Sequence, residues 1–181
     1  QKCYEYFRDY SQKYPFAQNL TKAASMGRTI LKNKSQVQVL TGTMSGVNAP
    51  HPQLLFVDEI DLMPWNVLQQ ALSMPQSKNG VMSKTVLTST RKFAGGAMQR
   101  LLDDAPKKGY KVYQWCIWET IEKLPTEQAK IDEIRHEFAG ELPADIHKAD
   151  GYYTWRDALQ KKRSPMEAET WAVEWRCRKP G

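Results

Sequence analysis

"LLFVDEIDLMP", Leu54 to Pro64, limits the folds open to this chain more than any other stretch. Four apolar residues run straight into Asp58-Glu59, with a third acid at Asp61. A short apolar run without alternation is what a strand covered on both faces requires. Such strands lie in parallel sheets, and in those sheets ligands bind beyond the carboxyl ends of the strands. The run therefore delivers its acids to the edge where chemistry is done.

The rest of the chain supplies the layers such a sheet needs. Tyr4, Phe7 and Tyr10 sit at helical spacing until Pro15 interrupts the pattern. "RTILKNKSQVQVL" reads as a hairpin turning at Asn33-Lys34, with Val37 and Val39 on one face. "GTMSGVNAPHP" is a loop. Helices are expected over 66–74, 97–105 and 127–138, and strands from Lys84 and over 111–117. From Gly140 the sequence is polar and mixed, with a weak strand or helix near Trp171–Cys177. Strands alternating with helices imply an α/β fold, its sheet mostly parallel and flanked by helices.

Composition narrows the setting. The net charge of +6 favours polyanionic partners, mildly. Cys3, Cys116 and Cys177 are scattered, without a CxxC pair, which argues for a reducing compartment rather than a disulfide framework. No run of about 18 apolar residues is present to span a membrane. The chain opens on Gln1, not Met, and reads as a piece of a longer protein.

A strand ending in four apolar residues and Asp-Glu is the Walker B pattern, and the two acids have different tasks. Asp58 is expected to hold Mg²⁺ through water, since Mg²⁺ keeps much of its hydration shell. Glu59 is expected to orient and deprotonate the water that attacks the γ-phosphate of ATP. The competing reading is a strand followed by an acidic helix cap. "TVLTSTR", Thr85 to Arg91, weakens it. Thr88 follows Asp58 by thirty residues, enough for one helix and a return to the adjacent parallel strand. Thr88, Ser89 and Thr90 then lie beside the acids, where hydroxyls can bond a phosphate or a catalytic water.

"SQVQVLTGTMSGVNAPHPQLLFVDEIDLMP" followed by "TVLTSTR" resembles the ATPase domain of phage terminase large subunits, the motors that package DNA. "YKVYQWCIWE" and "ETWAVEWRCRKPG" also look like segments of that family. The resemblance is closest from Arg28 to Arg91 and extends to Glu119. It implies a P-loop NTPase-type sheet, with Asp58 as the magnesium residue, Glu59 as the catalytic glutamate and Thr88–Thr90 as the coupling motif. It also implies double-stranded DNA, a small terminase subunit and a portal protein as partners, and a homo-oligomeric ring on the procapsid portal. The setting implied is the cytoplasm of a bacterial host. The family departs from this sequence at Asn48-Ala49, where an Arg-Gly pair is expected, and at Arg91, where Pro or Asn is frequent.

No GxxxxGK[ST] occurs in the 181 residues. The resemblance thus implies that the strand and loop carrying Walker A lie upstream, and that the acids of a nuclease domain, which would make the whole protein an endonuclease as well, lie downstream. Residues 1–125 would be the C-terminal part of the ATPase domain and 126–181 a helical linker segment.

Other residues compete for roles. Arg91 is the candidate phosphate sensor or arginine finger nearest the chemistry, ahead of Arg28 and Arg100. Asp61 is expected to cap the helix near Asn66 or to face solvent. Trp115 and Trp118 read as one core face, with base stacking the alternative. Cys116, Cys177, His136 and His147 lack the short spacings of a zinc site. "QKKRSP", Gln160 to Pro165, reads as a solvated basic face or a DNA contact. Asp58-Glu59-Ile60-Asp61 also fits the DExD signature of superfamily 2 helicases, the alternative reading, and a non-catalytic nucleic-acid-binding domain is a third.

Overall fold

The computed structural model describes residues 2–47, 51–144, 146 and 152–181. The chain divides into two compact units, 1–55 with 66–85, and 56–65 with 86–181. The described residues form an α/β structure with eight α-helices, a three-stranded antiparallel sheet and a two-stranded parallel one. The Asn48-Ala49 departure and His147 lie outside the described residues.

In the first unit, α1 (Lys2–Lys13) stops where Pro15 demands it. Tyr14 is extended, as the residue before proline prefers, and Pro15 takes the first turn of α2 (Pro15–Leu20), where its missing N–H costs nothing. The chain then forms an antiparallel sheet of β1 (Thr21–Ala24), β2 (Arg28–Leu31) and β3 (Gln36–Gln38). The β2–β3 hairpin turns as expected: Lys34 has φ 71°, and the Asn33 side-chain oxygen accepts from the Ser35 N–H at 3.0 Å. β1 was not legible in the aromatic N-terminal stretch. Tyr4 of α1 is 6% exposed, and its hydroxyl meets Thr29 Oγ1 and the Ser25 carbonyl, both at 3.0 Å. That contact seats α1 on the sheet through a buried polar group that is fully satisfied.

β4 (Leu54–Val57) and β5 (Lys84–Leu87) form the parallel pair. The Lys84 N–H donates to the Gln53 carbonyl at 2.8 Å and the Thr88 N–H to the Val57 carbonyl at 3.0 Å, a constant offset along the pair. Between them runs α3 (Trp65–Ser73), one residue off the expected bounds at each end. Contrary to expectation, β4 is not covered on both faces. Leu55 and Val57 are buried, while Leu54 and Phe56 are 62% and 54% exposed. An apolar run does not reveal how many layers cover it.

The second unit holds α4 (Ala97–Lys108), α5 (Ile117–Thr120), α6 (Gln128–Glu137), α7 (Trp155–Arg163) and α8 (Ala168–Thr170). A five-residue π-helical turn, Trp171–Trp175, follows α8. Its core is aromatic. Trp118 meets Phe138 edge-on at 5.3 Å between centroids, and Trp155 and Trp171 close the cluster. Residues 126–181 are part of this unit together with Asp58 and Thr88. The strand expected over 111–117 does not form: 111–116 is irregular and Ile117 opens α5. Tyr113 and Trp115, 67% and 66% exposed, stack on each other at 5.9 Å. Among the described residues no strand lies alongside to take up the backbone groups of 111–116, and side-chain alternation alone does not make a strand.

Candidate functional site

The parallel pair places Asp58 and Thr88 at the carboxyl ends of adjacent strands. Thr88 Oγ1 donates to Asp58 Oδ1 at 2.5 Å, and the Glu59 N–H donates to the same oxygen at 3.0 Å. Asp58 Oδ2 has no partner among the described residues, and the side chain is exposed. One carboxylate oxygen is thus held by two donors, and the other is free to meet a hydrated cation. That arrangement fits a Mg²⁺ residue that works through water.

Glu59 leaves the strand at φ 53°, ψ 46°, the left-handed region. For a residue that is neither glycine nor Asn or Asp this costs about 1–3 kcal/mol, and such strain concentrates where a side chain must be aimed. The aim is outward: Glu59 is half exposed, and its carboxylate lies 3.6 Å from Lys92 Nζ. Lys92 also lies 3.8 Å from Glu174. Sequence reasoning did not single out Lys92; its position just beyond the Thr-Ser-Thr run was the available signal.

Asp61 does not cap the helix near Asn66, nor does it face solvent. It is 6% exposed and bonds the other side of the site: Oδ2 accepts from the Phe93 N–H at 3.1 Å and Oδ1 from the Met98 N–H at 2.9 Å. The residue preceding α4 is Gly96, which has no side chain to cap with, so Asp61 caps α4 from a distance. The signal was Gly95-Gly96 ahead of a helix with no local cap. A Cβ at Gly96 would sit 2.4 Å from Asp61 Oδ1, so glycine is required for the approach. Ser89 completes the link, its Oγ accepting from the Asp61 N–H at 3.2 Å.

Two stability effects follow. Asp61→Ala removes a buried carboxylate that accepts from two partly buried N–H groups and should cost about 1–3 kcal/mol. Gly96→Ala should cost about 1–3 kcal/mol by overpacking the carboxylate. Denaturant midpoints measure both, and a Gly96→Ala protein as stable as wild type would contradict the cap.

Thr90 Oγ1 is buried and has no partner. Arg91 turns away from the acids' hydrogen bonds: its Nη2 donates to the Cys177 carbonyl at 3.0 Å. Arg100 lies over the Trp65 ring at 5.3 Å and donates to the Gly95 carbonyl. Arg28 belongs to β2 of the first unit. Two of the three cations of the basic cluster at 160–165 are paired with acids, while Lys161 is exposed with its Nζ over the Trp175 ring at 5.7 Å. Lys162 bonds Glu141 at 2.8 Å, and Arg163 bonds Glu133 and Glu137, both at 2.9 Å.

Of the two tryptophans, Trp118 is core and Trp115 is exposed. Burial, with the Glu119 side chain second, pushes the Cys116 thiol up to about 11, and burial also raises that of Cys177. Neither is a ready thiolate ligand, and no cluster of three or more His, Cys, Asp or Glu is placed to hold a metal among the described residues. No helix among the described residues is long and apolar enough to cross a membrane.

No protein-family model, no curated protein and no solved structure matches the chain.

Proposed function

We propose that the Asp58–Thr88 edge is half of a Mg²⁺–ATP site in a P-loop NTPase-type motor, and that the motor is a terminase large subunit driving double-stranded DNA into a procapsid. The observation that carries the reading is the Thr88–Asp58 hydrogen bond at the ends of neighbouring parallel strands, beside a strained Glu59. In this reading Asp58 holds the cation that neutralises phosphate charge. Glu59 takes the proton of the attacking water, and Lys92 restrains its carboxylate until nucleotide engages. The 181 residues contain no GxxxxGK[ST], so this reading requires its main phosphate contacts from elsewhere in the motor. The portal, the small subunit and neighbouring copies of the motor in a ring are the partners the reading requires, in the cytoplasm of a bacterial host.

The hydroxyl run has a mechanical outlet. Ser89 touches Asp61, and Asp61 holds the first turn of α4 and the Phe93 N–H. A shift of β5 by a phosphate contact at Thr88 or Thr90 therefore acts on the cap of α4. The same Asp61 bears on the helicase alternative: the fourth residue of its DExD signature is spent here on a buried helix cap.

The test is steady-state ATP hydrolysis by the full-length protein. Turnover should require Mg²⁺ and rise with added duplex DNA, while the 181-residue chain alone should turn over little. Comparable turnover by the 181 residues alone, or none by the full-length protein with Mg²⁺ and DNA, would contradict the proposal.

A further inference from the structure

A cavity of about 560 Å³ opens in the second unit beside the C-terminal segment, away from the hydrogen bonds of the acidic site. Its charged lining is Arg91, Arg176, Arg178 and Lys179 against one acid, Glu141. Glu141 is already engaged. It accepts from Lys162 Nζ and Trp171 Nε1, both at 2.8 Å, and stands 3.6 Å from Arg176. Burial pushes its carboxyl up, but the Lys162 and Trp171 hydrogen bonds and the charges of Lys162 and Arg176 hold it below the usual range on balance. It therefore stays ionised near neutral pH and still leaves a surplus of three positive charges on the cavity wall.

Those cations are under-used. The Arg176 side chain is 16% exposed, and its Nε is buried without a partner. A guanidinium N–H that has lost water and gained nothing is costly, and fixed proteins keep few such groups. Arg178 and Lys179 have no carboxylate partner among the described residues, and both are exposed. The chain is bent to produce this arrangement. Cys177 sits at φ 51°, and its carbonyl accepts from Arg91 at 3.0 Å and from Gln114 at 3.3 Å. Arg91 is thereby pinned at the wall with its other donors unspent.

From a guanidinium whose Nε–H is orphaned, a pinned second one and two free cations around one cavity, we infer a phosphate-binding site, taking the phosphate of a nucleotide or the phosphodiester of a nucleic acid. Forked arginine donors match the phosphate oxygens two at a time. A single carboxylate would leave most of the surplus charge unmatched. The volume is that of a small-molecule pocket, room for a nucleotide's phosphates or a turn of backbone. The inference stands without the ATPase reading, since none of its residues is Asp58, Glu59 or Thr88.

The test uses the 181-residue chain, with a fluorescein-labelled 12-nucleotide duplex read by anisotropy and pyrophosphate read by calorimetry. Wild type should bind at low salt. Arg176→Gln and the double change Arg178→Gln, Lys179→Gln should each weaken binding about tenfold or more, and the double change should lower the salt slope by about two. Lys130→Gln, on an exposed helix face, should leave affinity within about twofold. Circular dichroism of each variant confirms the fold. Binding of the duplex alone assigns a phosphodiester, and binding of pyrophosphate alone assigns a nucleotide. Binding of both, with pyrophosphate displacing duplex, assigns a common phosphate site. No binding of either probe, or binding that the variants leave unchanged, would overturn the inference.

Discussion

Glu59→Gln in the full-length protein should stop ATP hydrolysis while ATP binding persists. The amide keeps the shape of the carboxylate and can still orient a water, but it cannot take a proton. A positioned base contributes roughly 10²–10⁴-fold, so the single-turnover rate should fall by that factor. Binding should survive because Glu59 makes no contact that Asp58 or Thr88 needs: its backbone N–H, not its side chain, donates to Asp58 Oδ1. The left-handed backbone at residue 59 is unchanged by the substitution, so folding stability should shift by well under the ~1–3 kcal/mol stored in that conformation. The loss of the 3.6 Å contact to Lys92 is minor for a half-exposed pair. Rapid-quench hydrolysis beside equilibrium nucleotide binding separates the two properties. Hydrolysis within a few-fold of wild type would remove Glu59 from the role of base.

The parts of this site that were legible in the sequence were those set by spacing and local pattern. The thirty residues from Asp58 to Thr88 foretold adjacent strands, and Thr88 does bond Asp58. The turn at Asn33-Lys34 was legible because it rests on two residues and their own backbone. What was missed depends on partners distant in sequence. Asp61 looked like a cap for the next helix because caps are normally local. It caps α4 instead, since Gly96 leaves that task vacant and allows the approach. The strand expected over 111–117 needed a neighbour, and Tyr113 and Trp115 instead lie exposed and stacked on each other. The cluster Lys161-Lys162-Arg163 reads in the sequence as a solvated basic face or a DNA contact, and the acids that pair Lys162 and Arg163 were not legible there. Those acids, Glu141 for Lys162 and Glu133 and Glu137 for Arg163, lie twenty or more residues away. The basic surplus around Arg176 lies in a segment read as a weak strand or helix and as a piece resembling the terminase family, with no sign in the sequence that its cations would line one cavity.

The second large effect concerns movement rather than chemistry. Ser89→Ala with Thr90→Ala should leave nucleotide binding within several-fold, yet abolish packaging. Ser89 Oγ is the acceptor for the Asp61 N–H, and Asp61 in turn holds α4. Losing one such hydrogen bond costs about 0.5–1.5 kcal/mol, small beside folding stability but enough to bias a two-state element. Thr90 adds a sharper expectation. Its hydroxyl is buried with no partner, so Thr90→Val should not destabilise the fold, because a methyl replaces a group that was paying a desolvation cost. A variant as stable as wild type and unable to package would mark Thr90 as a functional hydroxyl, waiting for a phosphate or a water. A Thr90→Val protein that packages normally would reduce the coupling element to Thr88 and Ser89.

The measurement that bears most directly on the central claim is packaging of blunt duplex DNA into empty capsids by the wild-type full-length protein, with a strand-unwinding assay alongside. ATP-dependent uptake of duplex without strand separation is the expected result, with uptake lost in the Ser89→Ala, Thr90→Ala double variant. Unwinding by the wild-type protein with no duplex translocation would contradict the packaging motor and establish the helicase reading in its place.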